Sequence, residues 1–496
     1  MFVFFLSIVH LTLSQDPTAS LIFSDCKHLI LPPLCQCYHS GDQSQLRCHN
    51  IQLESIPKLP NNMRWNALDF SVNHIKSIDS YVFSDIYVEK LNLKLNHLQT
   101  VDATAFNQIK NVKQLYIDHN TLKEFDPKTL TSPGVSLEIF DISYNPLEYL
   151  DLGETFLQLT VLQEFYAVSC QLNNTSLFTL SKLTQRHDYV KIIDLSHNNL
   201  TSLCNNLFNN FYNLVEIRLN NNNIHLIDHS FIRSLEYIRN LNLAFNSIEY
   251  VPNLYSSSLE NLNLSSNNIQ YLNDYFGSHL RSIRIIDFDS NKYLSSVSSR
   301  SLCFINILTL KKLSFRFTNI VLLNAFSELL CRLVDNNNRE SILDLNHNTN
   351  LKCDCMLVQF EKYLINYFDL SCIQQGQDRY FISKRTNEFS YCTRDFCQKQ
   401  KRENLCDWTN AEQLMLEGTC HGKLNEKENS TKNETEFINI TTITLNVSDI
   451  IIQNSTVFYN QTLKSCVLSI KTVDYICLFV SLSLLYIRHS IGFLIK

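Results

Sequence analysis

The sequence predicts a solenoid: an α/β horseshoe with a concave parallel β-sheet, convex loops and short helical turns, and disulfide-capped ends. Three observations predict it. One apolar pattern recurs in phase along most of the 496 residues. Cysteines cluster just before and just after that array. Glycine is scarce, at 8 residues, which argues against phosphate-cradling loops and tight hairpin sandwiches. A chain of this length exceeds one compact core. A stacked array escapes that limit, because each unit packs only on its neighbours.

The pattern is L-x-x-L-x-L-x-x-N-x-L, the signature of a leucine-rich repeat. Val88, Leu91, Leu93, Asn96 and Leu98 fit it, as do Val112, Leu115, Ile117, Asn120 and Leu122. The Asn-equivalent positions are 73, 96, 120, 145, 170, 198, 222, 246, 267, 291, 318 and 348, which makes about twelve repeats. Position 170 is Cys and position 318 is Thr. The central L-x-L alternates with period two, so it is a strand with one face turned inward. The Asn side chain should satisfy backbone groups of the turn that would otherwise be buried unpaired. A recurring phenylalanine at Phe83, Phe106, Phe208, Phe231 and Phe276 should stack as a convex spine.

A solenoid needs caps over its two open ends. Residues 15–64 are expected to form the N-terminal cap, with Cys26, Cys35, Cys37 and Cys48 as its disulfide cysteines. The repeats run over 65–351. Residues 352–420 follow as the C-terminal cap, with Cys353, Cys355, Cys372 and Cys392. The stretch Cys48–Pro57 and the stretch Asn350–Leu364, which carries C-D-C-x-L before an amphipathic segment, resemble the caps of animal extracellular leucine-rich-repeat proteins. The order of parts is similar to that of Toll-type receptor ectodomains, Slit and the chaoptin-like adhesion proteins, over about residues 26–392. The resemblance implies a curved horseshoe used for recognition. It also implies that Cys353 and Cys355 pair with later cap cysteines. Two features depart from it. Cys397, Cys406 and Cys420 extend the C-terminal cap, and no Toll-type signalling domain follows, so innate immune signalling is not carried over.

Zinc is not expected, because neither cap has the C-x-x-C spacing of a structural zinc site. Cys303 and Cys331 lie 12 and 13 residues past adjacent Asn-equivalent positions. Stacked coils lie about 5 Å apart, so a disulfide between the two is within reach. Cys170 reads as an unpaired member of the Asn ladder, and Cys204 as a buried thiol.

Both flanks suggest the secretory route. The apolar run Phe2–Leu13 reads as a signal peptide over 1–14, although no Lys or Arg precedes it. Residues 421–466 are rich in Asn, Thr, Ser and Glu. They carry glycosylation sequons at Asn429, Asn433, Asn439, Asn446, Asn454 and Asn460, as an extended glycosylated stalk would. Four more sequons, at Asn173, Asn174, Asn199 and Asn263, lie in the array. Residues 467–496 read as a membrane-attachment segment. Their apolar run Tyr475–Ile487 is short for a span of roughly 20 residues. A short single-pass helix, a lipid-anchor signal and a merely apolar tail all fit it.

Searching for chemistry leads away from an enzyme. G-x-S-x-G, H-E-x-x-H, G-x-G-x-x-G and a phosphate loop are all absent, and no cofactor or metal is expected. Net charge is -6, which gives no footprint for nucleic acid. The histidines beside the Asn positions, among them His119 and His197, read as polar turn residues. The variable residues of L-x-L point to the concave face. Tyr116, Asp118, Asp141, Tyr166, Asp194 and Arg218 form one contiguous strip there. Aromatics beside charges suit protein interfaces. A glycan at Asn263 would obstruct the later coils, which puts the productive patch in repeats three to seven. The expectation is a cell-surface recognition or adhesion receptor, single-pass or lipid-anchored, with an extracellular or cell-surface protein ligand. A homodimer is compatible with it. A secreted or shed matrix-type protein and a pattern-recognition co-receptor for lipid or glycan are the alternatives.

Overall fold

The computed structural model describes residues 34–381, apart from 41–42, 60–63, 275, 299, 323–325, 336–341, 353–362, 366–369 and 374–378. The signal peptide, Cys26, Cys353, Cys355, Cys392, the six stalk sequons and the membrane-attachment segment lie outside the described residues. Among the described residues no helix is long and apolar enough to cross a membrane.

One sheet of 14 strands forms the wall. It opens with an antiparallel pair, Gln36–Ser40 against Gln43–Arg47. Every later pairing in it is parallel, one strand per coil. The inward leucine of each strand sits beside its counterpart in the next: Leu91, Leu115, Phe140, Phe165, Ile193, Ile217, Leu241, Leu262, Ile286 and Leu313 are in register and buried. Period-two alternation thus becomes two faces, one filling the core and one facing the concavity.

The turn after each strand explains the asparagine. The residue just before each of the twelve ladder positions has a positive φ, from 53° at Ser266 to 63° at His347. Val72, Leu95, Tyr144, Phe245 and Phe317 are among them. Branched and bulky residues avoid this region, at about 1–2 kcal/mol each. Compensation comes from the ladder side chain. Asn120 donates from Nδ2 to Leu93 O, Ile117 O and Asp118 O at 3.1, 3.0 and 3.2 Å, and its Oδ1 accepts from Leu98 N at 3.0 Å. One amide therefore closes its own turn and ties it to the coil before. Asn145, Asn198, Asn222, Asn246 and Asn267 repeat the scheme. Cys170 is a free, buried thiol that donates to Ile142 O at 3.4 Å. Burial pushes it up to about 12, so it stays a protonated donor. Thr318 donates to Phe315 O at 3.0 Å and to Asn348 Oδ1 at 2.7 Å.

The convex side is less regular. Phe83 and Phe106 stack at 5.8 Å as the spine requires. The expected column then breaks. Phe208 packs on Phe211 and Phe276 on Phe288. Short helices replace loops here: Leu152–Gln158, capped by Asp151, and Asn174–Phe178, capped by Asn173. They bring Phe156 onto Phe165 at 5.1 Å and onto Phe211 at 4.9 Å. The aromatic core there links the sheet to the convex layer instead of running along it.

A disulfide between Cys35 and Cys48 closes the N-terminal hairpin. Cys37 and Cys372 are also disulfide-bonded, Cys372 on the antiparallel pair Ser371–Ile373 and Arg379–Phe381. Cys303 and Cys331 each lie in a disulfide and are buried. Cys204 corrects the reading from sequence: it is disulfide-bonded and only partly buried, not a buried thiol.

Asn145 is fully buried and satisfies Leu122 N, Ile117 O and Ile142 O. Asn145→Ala should cost about 3 kcal/mol by orphaning these groups. Asn145→Cys should cost less, since Cys170 fills the donating part of that role in the next coil. Urea unfolding midpoints of the two variants test the order.

Candidate ligand-binding site

The concave face is built from the two outward rows of the sheet. The register places Asn92, Tyr116, Asp141, Tyr166, Asp194, Arg218, Asn242, Asn263 and Asp287 in one row. Between Asp118 and Ser196 this face sinks into a depression of about 310 Å³. Four of the six strip residues line it: Asp118, Asp141, Tyr166 and Asp194. Tyr116 and Arg218 stand at its sides. Tyr116 lies under Lys90, whose Nζ is 5.1 Å from the ring centre. Arg218 donates from Nη1 to Asp194 at 3.2 Å and from Nε to Glu216 at 2.6 Å.

The walls come from residues the strip did not include. His119, Tyr144 and His197 line the depression. All three are the positive-φ residue before a ladder position, so the left-handed turn swings their side chains beside the strand rows. The histidine of each pair had read as a plain turn residue. His119 instead stacks on Tyr144 at 4.1 Å. The signal was present as the position before each ladder residue, but it points at the site only once the turn's handedness is known.

The carboxylates differ in how they are satisfied. Asp194 accepts from Ser196 N at 3.0 Å and Ser196 Oγ at 2.6 Å as well as from Arg218. Asp118 Oδ2 pairs with His119 Nδ1 at 2.8 Å. Asp118 Oδ1 is buried and receives no hydrogen bond from any described residue. Asp141 Oδ1 accepts from Ser143 N at 2.9 Å. Burial, and then the Asp118 charge, hold the Asp141 carboxyl above the usual range against the Ser143 hydrogen bonds and His119. Burial also pushes up the Tyr166 phenol, with help from Glu164, which accepts its hydrogen bond at 2.8 Å. Tyr166 is thus a fixed neutral ring at any physiological pH.

The sequons in the array divide on geometry. Asn173 and Asn199 are exposed. Asn174 is buried and its Nδ2 donates to Ser202 O at 2.9 Å and Ser202 Oγ at 2.7 Å. Its side-chain amide is thus enclosed, unlike those of the exposed Asn173 and Asn199. Asn263 lines a second, smaller hollow of about 250 Å³ with Asn240, Asn242 and Asn261. Among the described residues no three His, Cys, Asp or Glu side chains are grouped to hold a metal ion.

Asp141→Asn should raise the thermal midpoint at pH 7. The fold disfavours the ionised carboxylate, and that penalty is full at neutral pH. It is lost as pH falls below the 3.8 of a free aspartate, where folded and unfolded states are both protonated. The melting curves of wild type and variant should therefore converge near that pH. A variant that melts lower at pH 7 would contradict the burial assigned to Asp141.

Known proteins place this architecture. A Leucine rich repeat family model matches residues 86–147. The chain is 25% identical to osteomodulin of Rattus norvegicus over 214 residues, 42% of this chain and 47% of that protein. It is 25% identical to human lumican over 219 residues, 44% of this chain and 60% of lumican. In both cases the match spans less than two thirds of the relative. Among solved structures, the TLR13–ssRNA13 complex is similar with a TM-score of 0.38 and 17% identity, covering 64% of this chain and 56% of that one. Human 5T4, or trophoblast glycoprotein, is similar with a TM-score of 0.37 and 18% identity, covering 57% of this chain and 99% of that one. The in-phase coils, the asparagine ladder and the match over 86–147 agree on a leucine-rich-repeat architecture, and the Cys35–Cys48 disulfide beside its first coil fits a cysteine-capped extracellular protein of that kind.

Proposed function

We propose that the chain is an extracellular recognition protein that binds a protein ligand on its concave face and catalyses no reaction. The observation that carries this reading is the depression across coils three to six, where carboxylates and aromatic rings sit side by side on rigid strands. Tyrosines held by hydrogen bonds offer large contact area at little entropic cost. The productive patch is the strip Tyr116, Asp118, Asp141, Tyr166, Asp194 and Arg218. Attachment to the cell surface through 467–496 makes the protein a receptor or adhesion molecule. A secreted, matrix-type role is the second reading, favoured by the likeness to lumican and osteomodulin. Release of the natural product from cells without detergent separates the two.

The test is a screen of the purified full chain against a library of extracellular proteins, followed by variants. Asp141→Asn combined with Tyr166→Ala should weaken the ligand so found by about tenfold or more, the scale of an interface hot spot. Glu249→Gln, an exposed residue outside the strip, should leave it within about twofold. A ligand that binds the double variant as it binds wild type removes the concave face from the account.

A further inference from the structure

The concave face treats its acidic residues unequally. Asp194 is covered by Arg218, at 3.2 Å. Four coils further on, Asp289 is covered by Arg316, with Nη2 at 2.6 Å and Nε at 2.7 Å from Oδ2. Arg316 also reaches towards Asp344 at 3.8 Å. In both places a residue of the next coil, Arg218 on its strand and Arg316 just after its strand, supplies a guanidinium to a buried carboxylate. The pair Asp118 and Asp141 has no such cover. Asp118 is 7% exposed, its Oδ2 takes only the His119 bond, and its Oδ1 takes none from the described residues. Lys94, its neighbour one coil back in the same row, makes no ion pair with it among the described residues. Among the described residues, Asp141 accepts hydrogen bonds only from Ser143.

Buried polar atoms are normally satisfied, and an orphaned carboxylate oxygen is costly to keep. The Asp118 side chain lines a depression whose walls include aromatic rings. His119 and Tyr144 stack at 4.1 Å, and Tyr166, its hydroxyl tied to Glu164, lines the same depression. Carboxylates and aromatic rings lining one depression suit an organic cation, above all a planar guanidinium.

We propose that the depression is an anchor pocket for a basic side chain presented by an extended basic segment of the protein ligand. The ligand supplies in trans the guanidinium that Arg218 and Arg316 supply in cis elsewhere on the face. The inference rests on the concave-face reading above and names the chemistry of its partner. Asp118 and Asp141 bind the charge, and Tyr144 and Tyr166 flank it.

The purified full chain is titrated with octa-arginine, octa-glutamate, a neutral Gly/Ser octapeptide and spermidine. Octa-arginine should bind, octa-glutamate and the neutral peptide should not, and spermidine should bind at least about tenfold more weakly than octa-arginine. Asp118→Asn keeps the shape and should weaken octa-arginine by about tenfold or more, while Glu249→Gln should leave it within about twofold. If Asp118→Asn does not fold, Tyr144→Ala decides in its place. Tyr144 is 47% exposed, so its removal spares the core, and the loss should again be several-fold. Octa-arginine binding that survives both variants overturns the pocket. Spermidine binding as tightly as octa-arginine also overturns it, in favour of a soluble polyamine site. If octa-arginine fails to bind while the screened ligand still depends on Asp141 and Tyr166, the pocket falls and the concave-face reading stands. Loss of both dependences sinks the two together.

Discussion

Beyond the sheet pairing, most coils are tied to the last by one side-chain amide, with Cys170 and Thr318 standing in its place in two. The ladder asparagine donates to carbonyls of its own turn and of the coil before, and accepts an amide proton from that earlier coil, as Asn120 does between Leu93, Ile117 and Leu98. Without those bonds the buried turn would leave polar groups unpaired and the left-handed residue ahead of it would have nothing to offset its strain. Everything else in the structure inherits its spacing from this turn. Strand register, the buried leucine column and the two outward rows all repeat because the turn repeats.

The site follows from that repetition. A left-handed residue stands beside the strand rows in every coil, so whatever it carries becomes a wall of the concave face. Where it is histidine or tyrosine and the adjoining row is acidic, in coils three, four and six, the wall and floor help make a depression. Where the row carries arginine one coil after an acid, as at Arg218 and Arg316, the charges close on each other and no opening for a cation is left. Small changes of residue type at fixed positions thus decide which part of a uniform wall can hold a partner.

Much of this was legible in the sequence, because the repeat fixes phase. Tyr116, Asp118, Asp141, Tyr166, Asp194 and Arg218 follow from counting along L-x-L, and the structure places four of them in one depression. His119, Tyr144 and His197 were not legible as site residues. Their direction depends on a positive φ that their own side chains disfavour, so propensity points the wrong way. The convex side was least legible. Phe208 and Phe276 sit at the spine's spacing, yet their rings meet Phe211 and Phe288, because convex segments vary in length and packing settles them locally. The bonded state of Cys204 escaped for a related reason: no repeat position implies a partner for it. The burial of Asn174 was hidden because the sequon pattern carries no information about the Ser202 contact that encloses its amide.

Site-resolved hydrogen exchange of the native chain tests the ladder most directly. The amides of Ile75, Leu98, Leu122, Leu172, Leu200, Ile224, Ile248 and Ile269 each donate to the ladder asparagine of the next coil. The account predicts that these amides exchange slowly and together. Exchange there as fast as in exposed turns would mean that the coils are not joined through their asparagines, and would contradict the account at its root.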